Sequence, residues 1–242
     1  MLFTLSHKPR SLTFSTGLLL ALMLAPTAQA EISFDGYTRF IYEADQRQMP
    51  VILVNDSNEP ALVQVNLNWG DPLEKRAIPM ALSKPLLLIP ERSKASVDIF
   101  YQGAGLPTDR ESFLLLKILS VPKNSSNENQ VSIALQHNLK LFYRPKLPGS
   151  PEEAIRTLHW SPSSSTTYQV HNKSPYYLTL TEVSLRDSKG VDCGKTIDQL
   201  MIAPFATYEL PILTCDRPVR EVAYSLIGDS GTSQAYRNNV QP

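Results

Sequence analysis

Ala61-Leu62-Val63-Gln64-Val65-Asn66-Leu67-Asn68-Trp69 decides the fold class. Ala61, Val63, Val65, Leu67 and Trp69 alternate with Gln64, Asn66 and Asn68, a period of two over nine residues, which a strand with one buried face requires. Gly70-Asp71-Pro72 then turns the chain, because neither glycine nor proline favours a continuing ladder. Further strands are expected over residues 32–42, 51–55, 95–101 and 113–121, divided by clusters of Asp, Ser, Asn and Pro at the spacing of a sandwich. Val131, Ile133, Leu135, Leu139 and Leu141 share one parity, while Ser132, Gln136 and Asn138 take the other, so one more half-buried strand closes the set. No long helix is legible. Nineteen prolines against ten glycines also fit short strands joined by fixed turns.

The segment Pro145-Lys146-Leu147-Pro148-Gly149-Ser150-Pro151 carries three prolines in seven residues, and no ladder survives that loss of donors. Residues 145–151 are therefore expected to form a stiff elbow between a first domain over 31–144 and a second over 152–242. Beyond the elbow, strands are expected over 166–172, 176–185, 199–203, 207–213 and 219–227. The architecture is all-β: two immunoglobulin-like sandwiches joined at an angle, in an L. No sequence repeat connects the halves.

At the amino terminus Lys8 and Arg10 precede the apolar run Gly17-Leu18-Leu19-Leu20-Ala21-Leu22-Met23-Leu24-Ala25, and Ala28-Gln29-Ala30 supplies small residues. Residues 1–30 read as an export leader cleaved after Ala30, the run being shorter than the roughly 20 apolar residues a spanning helix needs. No integral membrane association is expected of the remainder. Removing the leader takes away two cations and no carboxylate, so 21 Lys and Arg face 23 Asp and Glu. That balance gives no electrostatic footprint for nucleic acid.

Cys193 and Cys215 are the two cysteines, and an exported chain permits a disulfide between them inside the second domain, a pair of free structural thiols being the alternative. His137, His159 and His171 show no metal-ligand spacing with each other or with the cysteines, so no metal is expected. There is no G-x-S-x-G, no H-E-x-x-H and no phosphate-cradling glycine loop. No catalytic residue and no cofactor are assigned, and an enzyme is not expected.

Five motifs remain, in a fixed order. Thr38-Arg39 is followed by Leu106-Pro107-Thr108-Asp109-Arg110-Glu111-Ser112 and by Leu139-Lys140-Leu141-Phe142-Tyr143-Arg144-Pro145. The second half adds Asn172-Lys173-Ser174-Pro175-Tyr176-Tyr177 and Ile202-Ala203-Pro204-Phe205. Together they resemble the periplasmic chaperones of the chaperone/usher pilus pathway, over nearly all of the chain beyond residue 30. The short connection over residues 122–130 resembles the branch serving rod-like pili. Lys84-Pro85-Leu86-Leu87-Leu88 departs from the paired prolines and arginine usual there, and Lys117 from a common polar amide.

The resemblance implies a periplasmic protein that binds incomplete pilus subunits, completes their fold by strand addition and delivers them to an outer-membrane usher, without ATP. It implies that Arg39 and Lys140 anchor a subunit's terminal carboxylate, as hydrated cations when the site is free. Val131, Ile133 and Leu135 would be the row lent to the subunit, and Glu111, Arg144 and Asp229 a charged trio tying the domains together. Lys140 has the opposite parity to that row, so a regular strand directs it to the other face; either a bulge intervenes or the two groups use different faces. A structural pilus subunit and a two-domain adhesin or binding module are the competing readings.

Overall fold

The computed structural model describes residues 32–122, 133–164, 166–211 and 217–240. The expected leader, Val131 and Cys215 lie outside the described residues. The first half contributes β1 (Ile32–Ser33), β2 (Arg39–Glu43), β3 (Met49–Asn55), β4 (Ala61–Trp69), β5 (Met80–Leu82), β6 (Leu86–Ile89), β7 (Lys94–Tyr101), β8 (Ser112–Pro122) and β9 (Leu135–Arg144). They form two sheets, ordered β1-β3-β7-β5 and β2-β9-β8-β4-β6. Val63 and Val65 of β4, Val51 and Leu53 of β3, and Leu114, Leu116 and Ile118 of β8 are fully buried between the sheets. Each such side chain contributes about 1.5–3 kcal/mol by leaving water. The alternation in β4 thus maps onto an inner and an outer face.

A short helix α1 (Pro151–Ala154), capped by the Ser150 side chain on the Glu153 N–H, and a 3-10 turn over Ile155–Thr157 lead into the second half. There β10 (His159–Ser164), β11 (Thr167–His171), β12 (Leu178–Asp187), β13 (Ile197–Ile202), β14 (Thr207–Pro211), β15 (Val219–Ile227) and β16 (Ser233–Asn239) follow. Their sheets are ordered β10-β11-β14 and β13-β12-β15-β16, enclosing a separate core that includes Val170, Leu178, Leu180, Leu210 and Val222.

Two departures from the sequence reading have local causes. Residues 32–42 are not one strand, because Asp35 (φ 52°) and Gly36 (φ 87°) both adopt left-handed backbone and turn the chain from one sheet to the other. β5, β6, β10 and β16 escaped the sequence reading; each lies at the margin of its sheet, and HWSPSS and SQAYRNN carry no regular apolar row.

The halves share a device that no sequence repeat announces. In the first, Asn55 Oδ1 accepts from the Ser57 amide at 3.0 Å and its hydroxyl at 2.7 Å, while Nδ2 donates to the Glu59, Ile89 and Pro90 carbonyls. In the second, Asn172 Oδ1 accepts from the Ser174 amide at 3.0 Å and hydroxyl at 2.7 Å, and Nδ2 donates to the Tyr176, Ile202 and Ala203 carbonyls. Both asparagines are fully buried. Each amide satisfies backbone groups that would otherwise stand unpaired where two loops meet.

Candidate functional site

β9 positions Leu135, Lys140 and Arg144 among the residues singled out from sequence. It pairs with β8 without interruption from Ser112↔Tyr143 to Ser120↔Leu135, so no bulge rotates Lys140 onto the face of Leu135. The two parities therefore serve two faces. One row, Leu139, Leu141 and Tyr143, runs into the first core. Before it, Leu135 and Ile133 emerge from the sandwich and stand 42% and 64% exposed. On its other long side β9 meets β2, which runs parallel and pairs only from Arg39↔Lys140 to Glu43↔Arg144. Residues 135–139 consequently have β8 on one side and no paired strand on the other among the described residues.

The open margin ends at a pair of cations. The register sets Arg39 beside Lys140, on the face opposite the Leu139–Leu141 row. Lys140 makes no ion pair among the described residues. Burial, and then the neighbouring Arg39 guanidinium, push its ammonium down to about 8. Arg39 differs from the hydrated cation expected from sequence, being 7% exposed. Its Nη1 donates to the Ile227 carbonyl at 2.8 Å and the Gly228 carbonyl at 3.3 Å, and its Nη2 to Thr179 Oγ1 at 2.7 Å. The guanidinium also lies over the Phe142 ring, 4.7 Å from its centroid. Burial lowers its pKa, against the opposing pull of Asp229 and Glu111.

Phe142 faces away from the first core yet is 1% exposed, because the second sandwich covers it. Phe113 stacks on it at 5.3 Å, and Tyr177 lies 5.5 Å away. A Cβ on Gly70 would overlap the Phe113 ring, so the turn glycine leaves the space in which this aromatic floor is laid.

Arg144, two residues further along the same face, is the hub of the charged group. Its Nε donates to Glu111 Oε1 at 2.7 Å, and its Nη1 and Nη2 grip both oxygens of Asp229 at 2.6 and 2.9 Å. Glu111 Oε2 in turn accepts the Tyr177 amide at 2.7 Å. Burial pulls the Arg144 pKa down, but the hydrogen bond to Asp229 and the charges of Glu111 and Asp229 outweigh it and hold the guanidinium cationic. Glu43 joins at 3.3 Å from Nη1. The sequence reading missed Glu43, although it is register partner to Arg144, and Thr179, which lies 140 residues from Arg39 and carries no local signal. Cys193 is buried and disulfide-bonded; its expected partner, Cys215, is outside the described residues.

Residues 35–148 match the family described as pili and flagellar-assembly chaperone, PapD N-terminal domain, and residues 153–238 match pili assembly chaperone PapD, C-terminal domain. Chaperone protein FimB/FhaD of Bordetella pertussis is 32% identical, over 88% of this chain and 90% of that protein. The probable fimbrial chaperone YadV of Escherichia coli is 34% identical, over 73% of this chain and 76% of that one. The crystal structure of YadV superposes with a TM-score of 0.72 over 87% of this chain and all of that one, at 30% identity. That of the Pseudomonas aeruginosa CupB2 chaperone gives 0.71 over 85% and 99%, at 27% identity. With family matches over both sandwiches and relatives above 30% identity across most of its length, the chain belongs to the PapD family of pili assembly chaperones.

Proposed function

We propose that this chaperone works in the periplasm, lends the open margin of β9 to an incomplete pilus subunit, and seats that subunit's terminal carboxylate on Arg39 and Lys140. One observation carries this reading: the unpaired backbone of residues 135–139, led by exposed Ile133 and Leu135, runs directly into the Arg39–Lys140 pair. An extended segment added here gains main-chain hydrogen bonds along residues 135–139, and the exposed apolar row fills a gap in the subunit's core. The carboxylate fixes polarity. A strand whose last residue sits at Lys140 must run back along residues 135–139 parallel to β9, as β2 does further on. Charge-assisted hydrogen bonds to the two cations contribute about 1.5–3 kcal/mol each once shielded from water.

Glu111, Arg144 and Asp229, joined by Glu43, hold the two sandwiches in the orientation that forms the floor of this site. The Cys193–Cys215 disulfide staples the second sandwich. Delivery to an outer-membrane usher calls for a second surface clear of the subunit. Leu88, Leu62 and Val121 are cross-strand neighbours on β6, β4 and β8 and are all exposed, with Leu86 beside them. This apolar patch supports that role. No step in capture requires ATP.

Periplasmic co-expression with a pilus subunit tests the central claim. The unaltered chain should yield a soluble 1:1 complex, and the double variant Ile133→Asp/Leu135→Asp should fold but leave the subunit aggregated or degraded. Undiminished capture by that variant would refute the lent margin.

A further inference from the structure

A guanidinium offers five N–H donors in a planar fork, and the second sandwich already holds three of Arg39's. Nη1 serves the carbonyls of Ile227 and Gly228, and Nη2 serves the Thr179 hydroxyl. Phe142 occupies one flat face. What remains unengaged among the described residues is Nε–H and the second Nη2 proton, two donors enough for one bidentate carboxylate. Thr179 is 1% exposed in β12, and its hydroxyl is the one side-chain hydrogen-bond partner of Arg39 from the second half among the described residues. A buried hydroxyl that accepts from a cation fixes that cation's rotation about its last bonds, because losing it would strand a donor away from water.

We propose that Thr179 is a positioning residue for the carboxylate anchor: with the Ile227 and Gly228 carbonyls it locks Arg39 so that its free edge is presented to the subunit's terminus before the subunit arrives. This rests on the carboxylate reading above and extends it to the second sandwich. Preorganisation of this kind raises affinity by removing the ordering cost at the moment of binding. It also makes selectivity for an acid over a neutral amide depend on a residue that never touches the ligand.

The test uses a soluble synthetic nonapeptide of alternating apolar and polar residues, made as free acid and as carboxamide, with binding to the full mature chain read by fluorescence anisotropy. For the unaltered chain the acid should bind at least tenfold tighter than the amide. Thr179→Val should bring that ratio to within about threefold of unity, mainly by weakening the acid, and Thr179→Ser, which keeps the hydroxyl, should restore it. Thr179→Ala gives the same reading where the valine variant fails to fold. A full acid preference in the Val or Ala variant would overturn the positioning role, as would an equal loss in Thr179→Ser, which would mark a packing effect. A ratio near unity in the unaltered chain would sink the carboxylate anchor itself, and this inference with it.

Discussion

Each sandwich ends with a strand that leaves some backbone open on one side, and the two are built differently. β16 pairs with β15 from Glu221↔Asn239 to Ile227↔Ser233 and has no other partner among the described residues. Its sequence, SQAYRNN, offers an approaching chain polar groups and an arginine, which is how proteins discourage edge pairing. β9 is half covered by β2 and half open, and its open half begins at exposed Leu135, with exposed Ile133 just ahead of it. An unpaired backbone is therefore not what marks a strand to be lent. On the proposed reading the mark is an apolar row without a home in its own core, with a charge pair at the end to fix where a partner must stop.

Removing that charge pair should have the largest effect. Lys140→Ala is expected to weaken subunit capture by about 2–5 kcal/mol, tenfold to a thousandfold or more, while the melting temperature of the free chain holds or rises, since a half-buried cation beside another cation is lost. Arg39→Ala should weaken capture similarly but also lower the melting temperature, because it strands the Thr179 hydroxyl and two carbonyls. Calorimetric titration beside thermal melts separates the two. A Lys140→Ala variant that unfolds would make that lysine structural.

Ile133→Asp should come next, at about 1.5–3 kcal/mol of capture from the lost burial of one aliphatic side chain, with no change in stability given its exposure. If it destabilises the chain as a core substitution does, the row belongs to the first sandwich after all. The matched pair Asn55→Ala and Asn172→Ala probes what the halves have in common. Each should cost about 1–3 kcal/mol through unsatisfied buried carbonyls, and markedly unequal midpoints in urea unfolding would show that the two clamps do different work.

Raising the pH should weaken capture while the Lys140 contribution to the fold's stability grows. With Lys140 at about 8, one pH unit above that leaves about a tenth of the ammonium groups charged, and affinity for a carboxylate should fall accordingly between pH 7 and 9. The sign for stability is opposite. The lysine's pKa is depressed in the folded chain, so its penalty is full below about 8 and is relieved as pH rises towards its ordinary value of 10.5. Capture that holds flat to pH 9.5 would contradict a charged Lys140 contact. The smallest effect belongs to β16: Gln234→Leu gives it an exposed apolar residue and should change capture less than twofold by the same titration, since no cation pair terminates that margin among the described residues.

Much of this was legible because burial imposes a period. Residues 61–69 read directly as β4, and 219–227 as β15, since each has a core on one side. The break at Asp35-Gly36 was not legible, as residues on either side of it are equally strand-like and only left-handed backbone reveals that they belong to different sheets. Arg39 and Lys140 could be named from motifs, but whether Arg39 stands in water or against Thr179 depends on how two sandwiches meet, which no spacing encodes. Glu43 was within reach: a carboxylate four residues after Arg39 on a strand parallel to β9 falls opposite Arg144, once the parallel pairing is known.

That parallel pairing has one more effect. β2 occupies the same margin of β9 that the proposed ligand uses, starting where the ligand must finish, so the groove is a blind alley closed at Lys140. A strand entering from the open end advances only until its terminus meets β2. A polypeptide that continued past that point would have to evict a strand tied into the sheet over residues 39–43. Under the proposed capture, a read-through product and a carboxy-terminally tagged subunit would both be too long by the same criterion, whatever their composition.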